Sequence, residues 1–415
     1  MAQLTRALAQ IAALPATSAL RREQIKLQVA LITPLIHVKG YAAPETRAAE
    51  ERARLLIERA EALGEPPEDP LLLFSVLYGF WVANLVAFDG DAVSELATQF
   101  LTVAKKQGAT GLRMVGHRLR GMSLLCTGAM VESRVEFDQA ISLYDPAEHL
   151  PLATRFGQDV RAAALTFRSW ALWLLGYCDA ALADTEHALK DAREIGQAAT
   201  LMYALVHAPF TYLQCGSYAK AKSVADEVVA LADEKGSLAW RGLGMTFQGW
   251  LFSLTGKAPD AVRMIASGLA AWRSTGSTVW APLCSANLAT AYSQLAQIDD
   301  AWRCIGEAIT AVETTKQGLF EAEVHRVAGE IALASSEPDT AKAEAYFNHA
   351  LAVARQQQAK SWELRAAMSL ARLWRSQGKP QQGRELLAPV HGWFTEGFDT
   401  RDLKEAKALL DELAA

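Results

Sequence analysis

The chain has 415 residues, 41 Lys+Arg against 46 Asp+Glu, a net charge of −5, and 51% hydrophobic but only 8% aromatic residues. That length exceeds one compact core and leaves either two or three domains or a repeat array in which each unit packs on its neighbours. The charge balance gives no polybasic footprint for nucleic acid, and the five scattered cysteines (Cys126, Cys178, Cys215, Cys284, Cys304), with no CxxC pair, argue against a disulfide or zinc framework and fit buried apolar side chains in a reducing cytoplasm.

Residues 1–20 read as an N-terminal helical segment. Its apolar stretch is broken by Gln10 and does not form a signal peptide. Residues 21–150 read as irregular helical hairpins with turn signals at Gly40, Gly90 and Gly128. Within them Leu71 to Phe88 is uncharged over 18 residues. Ser75 and Asn84 interrupt it and no Lys or Arg flanks it, so it reads as a buried hairpin helix rather than a membrane span. The Pro-rich, acidic stretches 64–70 and 144–151 read as lengthened loops, and Lys105, Lys106, Arg113, Arg118 and Arg120 as a solvated face.

From 151 to 415 a period of about 40 residues takes over, continuous with the hairpins before it. Gly176, Gly216 and Gly256 recur at that spacing with Ala296 in the next place, and Gly196, Gly236 and Gly276 form a second set. Two glycines per period between helix-length apolar segments describe a repeated helix-turn-helix unit. Ala181, Ala221, Ala261 and Ala301 follow each hairpin turn, where a small residue lets two helices approach; Ala343 and Gly383 continue the pattern after a two-residue insertion near Ser335. Counting turns at Gly40, Gly90, Gly128, Gly176, Gly216, Gly256, Ala296, the Ser335 region and Gly378 gives about nine hairpins. The expected fold is all-α: a tetratricopeptide-like α-solenoid forming a right-handed superhelix. Trp240, Trp280, Phe320 and Trp362 share one position before each first helix, where a ring packs between consecutive hairpins.

In such arrays the first helix of each hairpin lines the concave face. Its ninth position falls on Trp170, Phe210, Trp250, Thr290 and Glu330, then Arg372, with Arg365 and Arg375 on the corresponding face of the last hairpin. An aromatic ladder leading to a cationic end would suit an extended peptide or a helix with an acidic terminus; the alternative is that the aromatics fill a tight superhelix interior. No catalytic constellation and no metal-ligand spacing is present.

Whole phrases carry a further resemblance: LRREQIKLQVAL, EALGEPPEDPLLLFSVLYGFW, LATRFGQDVR, SWALWLLGY, ALAVARQQQAKSWELRAAMSLARLW and GWFTEGFDTRDLKEAKALLDEL. From about Leu20 onward the chain resembles the C-terminal repeat region of bacterial class III adenylate cyclases that carry a cyclase domain and a signalling ATPase module ahead of the array. The resemblance implies a sensor array in signal transduction. It implies no activity here, because Met1 opens within the array, and Gly256-Lys257-Ala258 and Gly378-Lys379-Pro380 lack the hydroxyl residue of a phosphate-binding loop, with Leu251 and Leu373 where its first glycine would stand. The expectation is therefore a cytoplasmic, non-catalytic protein-interaction module with no cofactor, no nucleic acid and no membrane. A small-molecule sensor with its ligand in the concave groove is the second reading.

Overall fold

The computed structural model describes residues 2–15, 17–39, 44–65, 69 and 71–414. Among them there is no strand; every regular element is a helix. After α1 (Ala2–Ala12), nine antiparallel pairs follow one another: α2 (Ser18–Lys39) with α3 (Pro44–Ala62), α4 (Leu72–Val86) with α5 (Gly90–Gln107), and α6 (Thr110–Thr127) with α7 (Met130–Ser142). The single-turn helix α8 (Pro146–His149) lies within the lengthened loop expected at 144–151, so that stretch is partly helical, and a second one, α9 (Leu152–Arg155), follows it. The regular units then pair α10 (Val160–Leu174) with α11 (Cys178–Ile195), α12 (Ala198–Gln214) with α13 (Tyr218–Lys235), and α14 (Leu238–Leu254) with α15 (Ala258–Ser274). The last three pair α16 (Ala281–Gln294) with α17 (Ile298–Thr315), α18 (Glu321–Ala334) with α19 (Thr340–Gln356), and α20 (Lys360–Ser376) with α21 (Pro380–His391); α22 (Arg401–Ala414) caps the array. The turn expected at Gly40 and most of the loop at 64–70 lie outside the described residues.

The turns work as the period implied. Gly176, Gly216 and Gly256 close hairpins, and Gly196, Gly236 and Gly276 lead to the next, all in the left-handed region. Ala296 adopts φ +57° at the equivalent hairpin turn, a conformation that costs an L-residue roughly 1–2 kcal/mol. Ala296→Gly is therefore expected to stabilise the chain by about 0.5–1 kcal/mol, glycine's greater unfolded-state entropy offsetting part of the gain; an unchanged midpoint in chemical denaturation would count against this. Beside these turns, Ala181, Ala221, Ala261, Ala301 and Ala343 are all buried, as are the cysteines. The apolar segment 71–88 forms α4, whose Trp81 is buried and donates from Nε1 to Ser123 Oγ at 2.9 Å. No helix among the described residues is long and apolar enough to cross a membrane.

The superhelix is wound tightly enough for successive turns to touch. Thr278 and Val279 both donate from their backbone N–H groups to Val86 O (2.8 and 3.1 Å), joining the turn between α15 and α16 to the end of α4. The fourth hairpin meets the ninth, where Ser361 Oγ donates to Trp173 O (2.5 Å). Further on, Glu396 accepts from the N–H groups of Asp179 and Ala180 that open α11 (2.9 and 3.1 Å). These contacts fill the axis. Trp280, Phe320 and Trp362 are buried, and pack not only between neighbouring hairpins but across the axis: Trp280 and Phe320 lie near Trp170 (5.0 and 6.3 Å between centroids), and Trp362 meets Trp173 edge-on at 4.7 Å.

Candidate functional site

Where the winding leaves the axis open, a polar cleft of about 120 Å³ is lined entirely by first helices and the cap: α12, α14, α16, α18, α20 and α22. A 3.6-residue periodicity puts one stripe of each helix on this face, so residues 40 apart become neighbours. Trp250, Thr290, Arg365 and Arg372, expected from the sequence, all line it. Glu330 stands at its edge, where its Oε1 accepts from Ser369 Oγ (2.6 Å) and Arg326 Nη1 (3.2 Å).

Three expected residues belong elsewhere. Trp170 and Phe210 are 1% and 0% exposed, stacked on one another at 4.1 Å and closed off by the next superhelical turn, so the ladder is core and not groove lining. Arg375 is exposed and pairs with Glu412 of α22 outside the cleft.

Much of the cleft's charge comes from residues the ninth-position rule did not reach: Glu323, Arg326, Arg401, Asp402 and Glu405. Arg326 holds Glu323 through two bonds (2.8 and 2.9 Å). Arg365, buried against Trp173 and Trp362, pairs with Asp402 (2.7 Å), while Arg401 and Arg372 reach Glu405 (3.3 and 3.2 Å). Burial alone would raise the Glu323 carboxyl, but Arg326, Arg365 and Arg401 outweigh it and hold the group below its ordinary value. Burial likewise opposes the charge of Arg326, and Glu323, Glu330 and Asp402 overcome it. Four guanidinium groups thus face three lining carboxylates (Glu323, Asp402, Glu405). The side-chain amides of Gln214, Asn287 and Gln294 lie along the same wall, and Gln214 Nε2 is buried without a hydrogen-bond partner. Glu323 and Arg326 carried a sequence signal, an i,i+3 charge pair on a first helix. The contribution of α22 had none, since that helix stands outside the repeat.

Among the described residues one cluster has metal-type donors. Glu321 and His325 of α18 and His349 of α19 place their ligand atoms within 4.8 Å of one another, away from the cleft lining. Burial first, then His349, lowers the His325 pKa to about 4, so its imidazole is neutral near pH 7.

No family model matches the chain, and no curated protein does. Solved structures do. A Rap protein complexed with competence and sporulation factor superposes with a TM-score of 0.58 at 12% identity, over 94% of this chain and 99% of that one. The Rap conjugation gene regulator of plasmid pLS20, in complex with the Phr* peptide, gives 0.52 at 10% identity over 94% and 96%. The chain has the tetratricopeptide-like solenoid fold. A signal-transduction ATPase with a tetratricopeptide repeat sensor, from Pyrococcus horikoshii, gives 0.42 at 14% identity over 91% of this chain and 55% of that one, too low to bear on function.

In the basic stretch of the second and third hairpins, Lys105 and Lys106 are exposed as expected and Arg113 and Arg120 are partly exposed, but one residue departs from the solvated face. Arg118 is 3% exposed and fixed inside the array. Its helical neighbours Val115, Leu119 and Met122 are buried with it, an i−3, i+1, i+4 apolar pattern that marks the residue as inward-facing.

Proposed function

We propose that this chain is a non-catalytic regulatory array whose inner cleft receives the carboxylate-bearing end of a peptide. The observation that carries the reading is the cleft itself: carboxylate-paired guanidinium groups from the first helices α18 and α20 and from the cap α22, beside side-chain amides with an unpartnered buried donor at Gln214. Amides satisfy the N–H and C=O groups of an extended backbone, and arginine receives a carboxylate through two parallel bonds. Two solved neighbours above a TM-score of 0.5 are complexes, one of them with a peptide by its own description, which supports the same use of the fold. The resemblance of the sequence to cyclase-type regulators adds a signalling setting in the cytoplasm, in which the array reports on its occupant without chemistry of its own.

The test is retention of peptides from a random decapeptide library by the wild-type chain and by Arg372→Glu. Arg372 is exposed and its ion pair contributes at most about 1 kcal/mol, so the variant should fold normally. Wild type should retain carboxylate-bearing peptides and the variant should lose them by roughly tenfold or more, the effect of replacing a charge-assisted pair with repulsion. Equal retention, or none by either protein, would sink the reading.

A further inference from the structure

A second cavity, of about 170 Å³, shares no lining residue with the cleft. It lies on the superhelix axis where the first turn closes on itself. Its walls come from α4, α6, α10, α12, α14 and α15, and the Val279–Trp280 turn before α16 closes it, tied to α4 by the bonds to Val86 O.

Its polar end is the guanidinium of Arg118. The partners of that group are all neutral: Tyr203 OH at 2.8 Å, Tyr78 OH at 3.3 Å and, with its amide oriented to present Oε1, Gln158 at 3.2 Å from Nη1. No carboxylate among the described residues pairs with it, and the groups that offset its burial are the two tyrosines. Elsewhere in the chain the buried arginine, Arg365, has Asp402 beside it. A buried cation without a counter-ion is costly, and it persists where the fold requires it for something other than stability.

The rest of the wall is aromatic. The Arg118 guanidinium lies 5.5 Å from the ring centroids of both Trp81 and Tyr203. Phe167, His207, Trp240 and Trp280 complete the enclosure, with Trp280 stacked on Phe167 at 5.8 Å. Burial lowers the His207 pKa to about 4, so it contributes a neutral ring and no second charge. Trp280 is held at φ +68°, a conformation disfavoured for a bulky residue, and its N–H donates to Gln317 Oε1 at 3.2 Å. Strain of this kind is retained where the position of a side chain matters. An apolar cavity of roughly 150 Å³ accepts a benzene ring, so the space here fits one ring or a short branched chain with an acid group. Half-exposed Tyr78, Val82 and Trp240 form its outer edge.

We infer that this axial cavity binds a small apolar carboxylate, its ring or alkyl part among the tryptophans and its acid group paired with Arg118. The site does not depend on the cleft being a peptide groove. Because its walls come from both ends of one superhelical turn, a bound acid favours the closed turn and raises the stability of the array by mass action.

The experiment is calorimetric titration of the full chain with phenylacetate, indoleacetate and isovalerate, each paired with its uncharged primary amide. At least one acid should bind on the order of tenfold or more tightly than its amide, the advantage of a charge-assisted pair over a neutral one. Arg118→Gln should erase that preference, while Arg372→Glu in the cleft should leave it intact. If no acid binds, if each acid equals its amide, or if Arg118→Gln keeps the preference, the proposal fails. Should Arg118→Gln not fold, the acid–amide comparison on the wild-type chain together with Trp240→Leu at the half-exposed rim decides: loss of acid binding in Trp240→Leu is expected, and undiminished binding would overturn the site.

Discussion

Replacing Trp170 by Ala is expected to destabilise the chain by about 3–5 kcal/mol, the usual cost of removing a buried indole from a core that cannot collapse around the gap. Trp170 stacks on Phe210 at 4.1 Å, lies 5.0 Å from Trp280 and donates from Nε1 to His207 O at 3.2 Å. It therefore ties its own hairpin to the next one and to the following turn of the superhelix at once. Urea denaturation followed by circular dichroism measures the loss, with Thr290→Ala, half-buried at the equivalent repeat position on the cleft wall, as a control expected to change stability by under about 1 kcal/mol. Equal midpoints for Trp170→Ala and wild type would mean the aromatic row is not core. Simple repeat arrays unfold unit by unit because each contacts only its neighbours. The contacts across the axis predict instead that Trp170→Ala lowers one shared transition.

Glu50→Gln is expected to stabilise the protein at pH 8, by a few kcal/mol, and to flatten its dependence on pH. Glu50 of α3 is 0% exposed, and neither carboxylate oxygen has a hydrogen-bond partner among the described residues. Burial pushes its pKa up to about 8, opposed only in part by Arg47. The folded state therefore keeps the proton up to about pH 8, whereas the unfolded chain releases it near the ordinary glutamate value of about 4.3. Between those values the folded state binds more protons, so stability falls as pH rises, by at most about 1.4 kcal/mol per pH unit, and levels off above the folded value. Thermal midpoints of wild type and Glu50→Gln from pH 5 to 9 test this. The curves should converge at the acid end and separate toward pH 8; parallel curves would show that Glu50 ionises normally. Acid acts oppositely in the cleft, where the lowered Glu323 carboxyl contributes stability that is lost as pH falls through its folded value.

The period of 40 was legible because it rests on local chemistry. Glycine at a left-handed turn, a small residue where two helices cross and an apolar stripe at helical spacing each report on residues a few positions apart. Those signals placed the turns from Gly128 to Gly378 and identified the stripe that faces inward, including Trp250, Thr290, Arg365 and Arg372 of the cleft. Even Ala296, without glycine's freedom, was placed in its turn by period alone.

What the sequence could not decide was how far the superhelix winds. That depends on small rotations between units, summed over several hairpins, and no local signal encodes the sum. A looser coil would have left Trp170 and Phe210 facing an open groove. The observed winding brings Trp280 and Phe320 over them and makes core of what looked like surface. The same closure places Arg118 of α6, Tyr203 of α12 and Trp280 before α16 around one cavity, though they are far apart in the chain. Helix, hairpin and inward face were determined by the amino-acid sequence read locally; which inward residues meet solvent, a ligand or one another was decided only by tertiary packing across the axis.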